Sequence, residues 1–198
     1  DDLRPRSASR VAAGLFNVLT GREVNMSWMA TEMLAALKAF LDDAAFADLQ
    51  QYVHFMPIYK PFIDGHAYND WMIGLEQPEF AALAQHEGRP QQPMLIHNPI
   101  GGLRIVAGGW AEVGKLCTGM LDILQHKFEL RLLHTAVDYA GIDPVTGEVC
   151  TPGAEGIYDE IVFAEGMGIL DNPWFQFVQV RPLKGQVIDL QLAPGLDE

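Results

Sequence analysis

Two segments with helical spacing of apolar residues, separated by short strand-like runs, constrain the fold most strongly. Residues 26–42 repeat apolar side chains near every 3.6 positions, with Ser27 as a candidate N-cap, and residues 111–128 show the same period. The runs between and after them are rich in aromatic and β-branched residues, which favour strands. Because these signals mix without regular βαβ units, the sequence predicts an α+β fold: a mixed, mainly antiparallel sheet with flanking helices, and remnants of an α/β layer.

The shorter elements follow from local signals. We expect short helices over 66–75 and 78–85, and the helix over 26–42 to be the longest or second-longest. The composition of residues 86–93 predicts a loop. Residues 143–147 are predicted to form a turn, because Pro144 presets φ and Gly147 tolerates positive φ. Strands are predicted at 52–62 (broken by Pro57), 103–107, one or two within 129–142, 161–164, and 184–192.

Composition excludes several classes of partner. The 198 residues carry a formal net charge of −13, which argues against nucleic acid and against anionic membrane surfaces. No apolar run reaches the ~18 residues of a membrane span. Two lone cysteines, Cys117 and Cys150, fit a reducing compartment better than a disulfide framework. We therefore expect a cytoplasmic protein.

Common catalytic and metal motifs are missing from the sequence. The six histidines show neither HxH nor HExxH spacing, so we expect no metal site. There is no GxSxG, the motif that presents a nucleophilic serine on a sharp turn. No residue is therefore assigned a catalytic role.

Two glycine-containing segments are candidates for contact with a ligand. In "SASRVAAGLFN" the Ser9 hydroxyl and the Arg10 charge suit a phosphate, while Ala12, Ala13 and Gly14 present little side chain to a planar ring. In "IVFAEGMG" an apolar run ends in two glycines, as at ligand-binding strand ends. The alternatives are a tight packing corner in the first segment and a plain tight turn in the second.

Six motifs, in order, carry a resemblance to a known family: "SASRVAAGL", "TGR", "YKPF", "IVFAEGMG", "NPWF" and "RPLKGQV". With them the chain resembles FAD-dependent oxidoreductases of the D-amino acid oxidase and glycine oxidase superfamily, over about residues 7–192. The resemblance implies an amine or amino acid substrate and FAD as cofactor.

The resemblance also implies roles for individual residues. Ser9 would approach the pyrophosphate, and Asn17 would face the substrate side. Contact with the isoalloxazine is implied for Ala13, Gly14 and Leu15. Val137 would lie behind the adenine, and Ala164 and Gly166 would close over the cofactor. The residues themselves suggest that Tyr59 and Lys60, at the end of a predicted strand, line a substrate pocket, with a purely structural role as the alternative.

The chain departs from the family at both ends. No GxGxxG turn precedes the first segment, and the family continues beyond "KGQV". We therefore expect an internal fragment that is inactive by itself. The implied division is residues 1–25 and 136–182 as remnants of the FAD-binding region, 26–135 as the substrate domain, and 183–198 as a returning strand.

Two functions of different classes remain open at this point. One is part of a flavin-dependent amine or amino acid oxidoreductase, and the other is a non-catalytic binding or assembly module with the substrate-domain fold. If the family holds, Gly14 and Gly166 should lie near each other. Residues 158–168 should be an exposed edge that is covered by a second copy of the chain or poorly ordered, unless helices of the same chain close over it.

Overall fold

A computed structural model describes residues 8–20, 24–88 and 98–181 of the chain. The fold is α+β, with small antiparallel sheets and helices, as the sequence predicts. The chain forms two compact units, and the chain passes from one to the other between Lys127 and Phe128. The predicted domain boundaries stay predictions.

The first unit holds both of the longer helices. Its elements in chain order are α1 (Ala8–Val11), β1 (Leu15–Asn17), β2 (Leu19–Thr20), β3 (Asn25–Met26), α2 (Ala30–Asp42), a 3-10 helix (Ala47–Tyr52), β4 (Val53–Phe55), β5 (Ile58–Pro61), α3 (Gly65–Gly74), α4 (Pro78–Ala81), β6 (Ala84–Glu87), β7 (Gly102–Ile105), β8 (Gly108–Ala111) and α5 (Val113–Lys127). Two three-stranded antiparallel sheets result, in the orders β1-β8-β4 and β5-β7-β6, and β2 pairs with β3.

Each three-stranded sheet has its own apolar core. One core includes Trp71, Leu103 and Ile105 beside the sheet β5-β7-β6. The other includes Leu41, Leu49, Val53, Ala111 and Ile123, and it joins β4 and β8 to α2, α5 and the 3-10 helix. Burial of side chains of this size contributes about 1.5–3 kcal/mol each.

Several predictions are confirmed where the signal is local. Helix α3 covers 65–74, and the Asp64 carboxylate caps it by accepting a hydrogen bond from the Ala67 N–H at 2.8 Å. Helix α5 matches the period over 111–128, and α2 is the second-longest helix of the described residues. Pro57 separates β4 from β5, which belong to different sheets. The turn over 143–147 forms, with Gly147 at φ 74°.

The predicted start of the helix over 26–42 is wrong. Helix α2 begins at Ala30, after Met29 in the left-handed region at φ 47°, and has no side-chain cap. Met26 belongs to β3, whose pairing with β2 holds it in an extended conformation. Ser27 does not cap the helix; its N–H donates to the Val18 carbonyl at 2.9 Å.

The predictions for residues 78–93 and 103–107 need correction. Helix α4 ends at Ala81, and 84–87 form β6, because β7 offers a partner for their backbone groups. The predicted loop is therefore wrong at His86 and Glu87, and residues 89–93 lie outside the described residues. Strand β7 covers 102–105, so the predicted strand is wrong at Ala107, and β8 follows at Gly108.

The second unit contains little regular structure in its described residues, 128–181. Its elements are a 3-10 helix (Tyr139–Gly141), β9 (Glu148–Val149), β10 (Gly156–Ile157) and a 3-10 helix (Gly166–Asp171), with β9 and β10 antiparallel. The strands predicted within 129–142 and at 161–164 are wrong. In the second of these segments Phe163 packs against the rings of Trp174 and Phe175, at centroid distances of 5.3 and 5.7 Å, instead of in a sheet. The strand at 184–192 lies outside the described residues.

Candidate functional site

Three side chains lie side by side across the sheet β1-β8-β4, and we call them the Trp110 row. Leu15 pairs with Trp110, and Trp110 pairs with His54 on its other side. Residues directly opposite on antiparallel strands project from the same face. The His54 and Trp110 rings are stacked, with centroids 4.3 Å apart and planes at 25°.

The two faces of this sheet differ in how far other residues bury them. The opposite face carries Phe16, Val53 and Ala111 into the core beside α2 and α5. On the face of the Trp110 row, Ile58 lies over Gly108 at one end. Leu15 is nevertheless 62% exposed and Trp110 39% exposed. The row is therefore an accessible apolar surface with one stacked aromatic pair.

The His54 imidazole has an unusual hydrogen-bonding state. Its Nε2 atom is buried and has no hydrogen-bond partner among the described residues. A buried polar atom without a partner costs about 1–3 kcal/mol. Stacking against Trp110 therefore contributes to holding the ring in place.

Gly14 sits where the chain passes from α1 into β1. It adopts φ 74°, and a Cβ added there would overlap the carbonyl oxygen of Ala111. Its own carbonyl accepts a hydrogen bond from the Ala111 N–H at 3.0 Å. The structure thus explains this glycine by close backbone packing, which was the alternative drawn from the sequence, while Ala12 and Ala13 before it are exposed.

A second feature of the first unit is an open cleft of about 420 Å³, which we call the Arg10 cleft. Its lining residues are Arg10, Tyr52, Gly114, Lys115, Thr118, Gly119 and Asp122. The α5 glycines lie at points of close approach: Gly114 faces the Arg10 backbone, and Gly119 faces Leu49 and Tyr52. The sequence-predicted residue Arg10 is thereby placed beside a second cation, Lys115.

The charges of the Arg10 cleft are balanced. Lys115 forms an ion pair with Glu112, and this hydrogen bond raises the pKa of the Lys115 ammonium. Asp122 contributes a carboxylate to the lining, whereas Glu112 is not a lining residue. The cleft therefore offers Arg10 as a cation without an ion-pair partner among the described residues.

Tyr59 and Lys60 lie on β5, where successive side chains point to opposite faces. The Tyr59 hydroxyl accepts a hydrogen bond from the Asn98 amide. The Lys60 ammonium lies 4.9 Å from the centroid of a Trp71 ring, and burial lowers its pKa. Both residues have intramolecular contacts, and their place in a substrate pocket stays a prediction.

The remaining predicted residues are distributed over both units. In the first unit the Asn17 carboxamide oxygen accepts a hydrogen bond from the Leu19 N–H at 3.0 Å, and Ser9 lies in α1. In the second unit Val137, Ala164 and Gly166 are exposed, and Gly166 has φ 58°. Gly14 and Gly166 belong to different units, so their proximity stays a prediction.

No motif of the sequence predicts the polar network that the second unit contains. The Glu165 carboxylate accepts hydrogen bonds from the Tyr139 hydroxyl and, at 2.8 Å, from the Asn172 amide. Asn172 is fully buried, and its carboxamide oxygen accepts from the Trp174 N–H at 3.0 Å. The bond to Glu165 raises the pKa of Tyr139. Glu165 of this network lies within residues 158–168, and the coverage of that segment by a second copy of the chain stays a prediction.

No group of three or more metal-ligating side chains occurs among the described residues, and none of their helices is long and apolar enough to cross a membrane. Comparisons with models of known protein families, with curated proteins and with solved structures find no match.

Proposed function

We propose that the chain is part of a flavin-dependent oxidoreductase that acts on amines or amino acids. The observation that supports the proposal is the position of Leu15, which the family resemblance assigns to the isoalloxazine. Leu15 begins the edge strand β1, and it is 62% exposed beside Trp110 on the accessible face of its sheet. A flat apolar ligand would remove this surface from water.

The residues of the first unit fit a flavin on steric and electrostatic grounds. Ala12, Ala13 and Leu15 present small or apolar exposed groups, and Ser9 and Arg10 precede them in α1, where a phosphate would find a hydroxyl and a cation. When bound, FAD supplies the hydride acceptor for the C–H bond next to the substrate nitrogen. Ala164, Gly166 and Val137 are exposed in the second unit, and their assignment to the cofactor comes from the family resemblance alone.

The test is direct titration of the purified chain with FAD, followed by flavin fluorescence and absorbance. We expect saturable binding that Leu15→Asp weakens at least about tenfold, equivalent to about 1.4 kcal/mol. Val145→Asp is the matched control, because Val145 is 91% exposed in the second unit. Absence of binding at FAD concentrations on the order of 100 μM, a Kd range of weak ligands, would overturn the proposal.

An assembly module is the second candidate, and one surface favours it. Trp28 is 82% exposed and Met33 59% exposed, at the start of α2. Exposed apolar clusters of this kind mark interaction sites. Light scattering of the wild type and of Trp28→Ser would test this function. A dimer that the substitution dissociates supports it, and a monomer in both proteins rejects it.

The two unpaired cysteines, Cys117 and Cys150, support a proposed cytoplasmic location.

A further inference from the structure

The Arg10 cleft contains two opposite charges that have no partner within the described chain. Neither the Arg10 guanidinium nor the Asp122 carboxylate forms an ion pair with a described residue. Both line the same cleft, so their charged groups lie beyond ion-pair distance of each other. We propose that the cleft binds a short peptide by its two free termini, with the terminal carboxylate at Arg10 and the terminal ammonium at Asp122.

Helix α5 sets the distance between the two charges. Gly114, Thr118 and Asp122 are spaced by four positions, so they follow one another along one side of the helix. With a rise of about 1.5 Å per residue, Gly114 and Asp122 are about 12 Å apart along the helix axis. A Cβ added at Gly114 would lie 3.8 Å from the Arg10 Cα, which places Arg10 at the Gly114 end of this line.

This distance determines the length of the ligand. An extended peptide spans at most about 3.3–3.6 Å per residue, so a tripeptide covers about 10 Å. The ammonium and the carboxylate of a single α-amino acid are attached to one carbon atom, so they cannot reach both ends of the cleft. The cleft volume of about 420 Å³ lies within the range of about 300–1,000 Å³ that is typical of small-molecule sites.

The charges at the two ends exclude other classes of ligand. Lys115 follows Gly114 and therefore lies near the Arg10 end, where its partner Glu112 offsets its charge. A dicarboxylate would bring a negative charge to Asp122, and a diamine would bring a positive charge to Arg10. A ligand with opposite charges at its two ends is attracted at both.

The middle of the cleft suits a peptide backbone. Tyr52 and Thr118 contribute hydroxyl groups, which can both donate to and accept from peptide groups. The Thr118 hydroxyl donates to the Gly114 carbonyl at 3.0 Å, so its oxygen lone pairs remain for a ligand N–H. Gly114 and Gly119 present no side chain along this wall, which allows an extended backbone to come close.

The experiment titrates the full chain without FAD, because both proposals use Arg10, and follows the amide signals of Gly114 and Gly119 by NMR. The ligands are triglycine, N-acetyl-triglycine, triglycine amide and 8-aminooctanoate, which has the same end charges without peptide groups. We expect triglycine to shift both glycine signals. Each of the other three ligands should bind at least about fivefold more weakly, since it lacks one charge-assisted contact or the peptide groups.

Two substitutions of exposed residues assign the ends of the ligand. In Asp122→Asn, acetylation of triglycine should no longer weaken binding, whereas amidation should still do so. In Arg10→Gln the pattern should be the reverse. Asp70→Asn is the matched control, because Asp70 is exposed on α3 outside the cleft, and it should keep the wild-type pattern. A general disturbance of the fold would weaken all four ligands alike.

Four results would each overturn the inference: no shift at Gly114 and Gly119, equal affinity for free and blocked triglycine, equal affinity for triglycine and 8-aminooctanoate, or a blocking effect that survives in its matched variant. The inference goes beyond the flavin function. Asp122 has no part in that function, so Asp122→Asn should leave the FAD titration unchanged. Triglycine binding without FAD binding supports the peptide site and rejects the flavin function, and FAD binding without triglycine binding does the reverse.

Discussion

The imidazole of His54 lies flat against the indole of Trp110, and its Nε2 atom is buried without a hydrogen-bond partner among the described residues. The ring contact stabilises the pair of strands, whereas the orphaned nitrogen opposes that stabilisation. The two effects can be separated by substitution.

His54→Phe should retain the stacking and remove the buried nitrogen. We expect the free energy of unfolding to equal that of the wild type within about 0.5 kcal/mol or to exceed it, because an apolar ring replaces an unsatisfied polar one. His54→Ala is the control and should lose about 0.5–1.5 kcal/mol with the ring contact, in addition to its burial. Urea unfolding measures both. A His54→Phe protein less stable than His54→Ala would show that Nε2 has a partner that the structure does not describe.

Gly14→Ala should destabilise the first unit by about 1–3 kcal/mol, because Gly14 has positive φ and an added Cβ would overlap the Ala111 carbonyl. Gly65→Ala is the matched control: nothing lies within 4 Å of the added Cβ, and Gly65 begins α3. Alanine is favoured over glycine in helices, so the control should gain up to about 1 kcal/mol. Equal effects of the two substitutions in urea unfolding would contradict this role for Gly14.

The parts of the fold that can be predicted are those determined by residues close together in the sequence. Helix α3 has a capping Asp64 and α5 has a clear apolar period, so both could be predicted. Strand β8 begins with two glycines and gives the signal of a turn; it becomes a strand because β1 and β4 pair with it on either side. The apolar run 161–164 has strand propensity, but Phe163 instead packs against Trp174 and Phe175.

The candidate site also contains one residue that could be predicted and two that could not. Leu15 is singled out by the family resemblance, which assigns it to the isoalloxazine. His54 and Trp110 could not be predicted, because their proximity to Leu15 depends on the register between strands far apart in the chain. Alternation within "YVHF" tells which residues share a face of one strand, but not which strand lies beside it.

Asn172→Ala should loosen the second unit by about 1–3 kcal/mol. The substitution removes a fully buried side chain that donates to Glu165 and accepts from the Trp174 N–H, and it leaves both groups without this partner. Hydrogen exchange of the Trp174 amide is the measurement, and it should become faster by a factor of about ten or more, equivalent to about 1.4 kcal/mol. Gln176→Ala changes an exposed residue nearby and should leave the exchange unchanged. Unchanged exchange in Asn172→Ala would contradict the network.

The hydroxyl of Tyr139 should titrate above its usual pKa of 10.0, because it donates to the Glu165 carboxylate and its anion would lie beside that negative charge. The folded state then holds this proton more tightly than the unfolded state does. The contribution to stability is therefore fully present below pH 10 and is lost as the pH rises through the raised pKa. Tyrosinate absorbance measures the titration, and the difference between wild type and Tyr139→Phe assigns it among the five tyrosines. Glu165→Gln removes the charge and should bring the pKa back toward 10.0, whereas a wild-type Tyr139 that titrates at or below 10.0 would show that the bond to Glu165 does not form in solution.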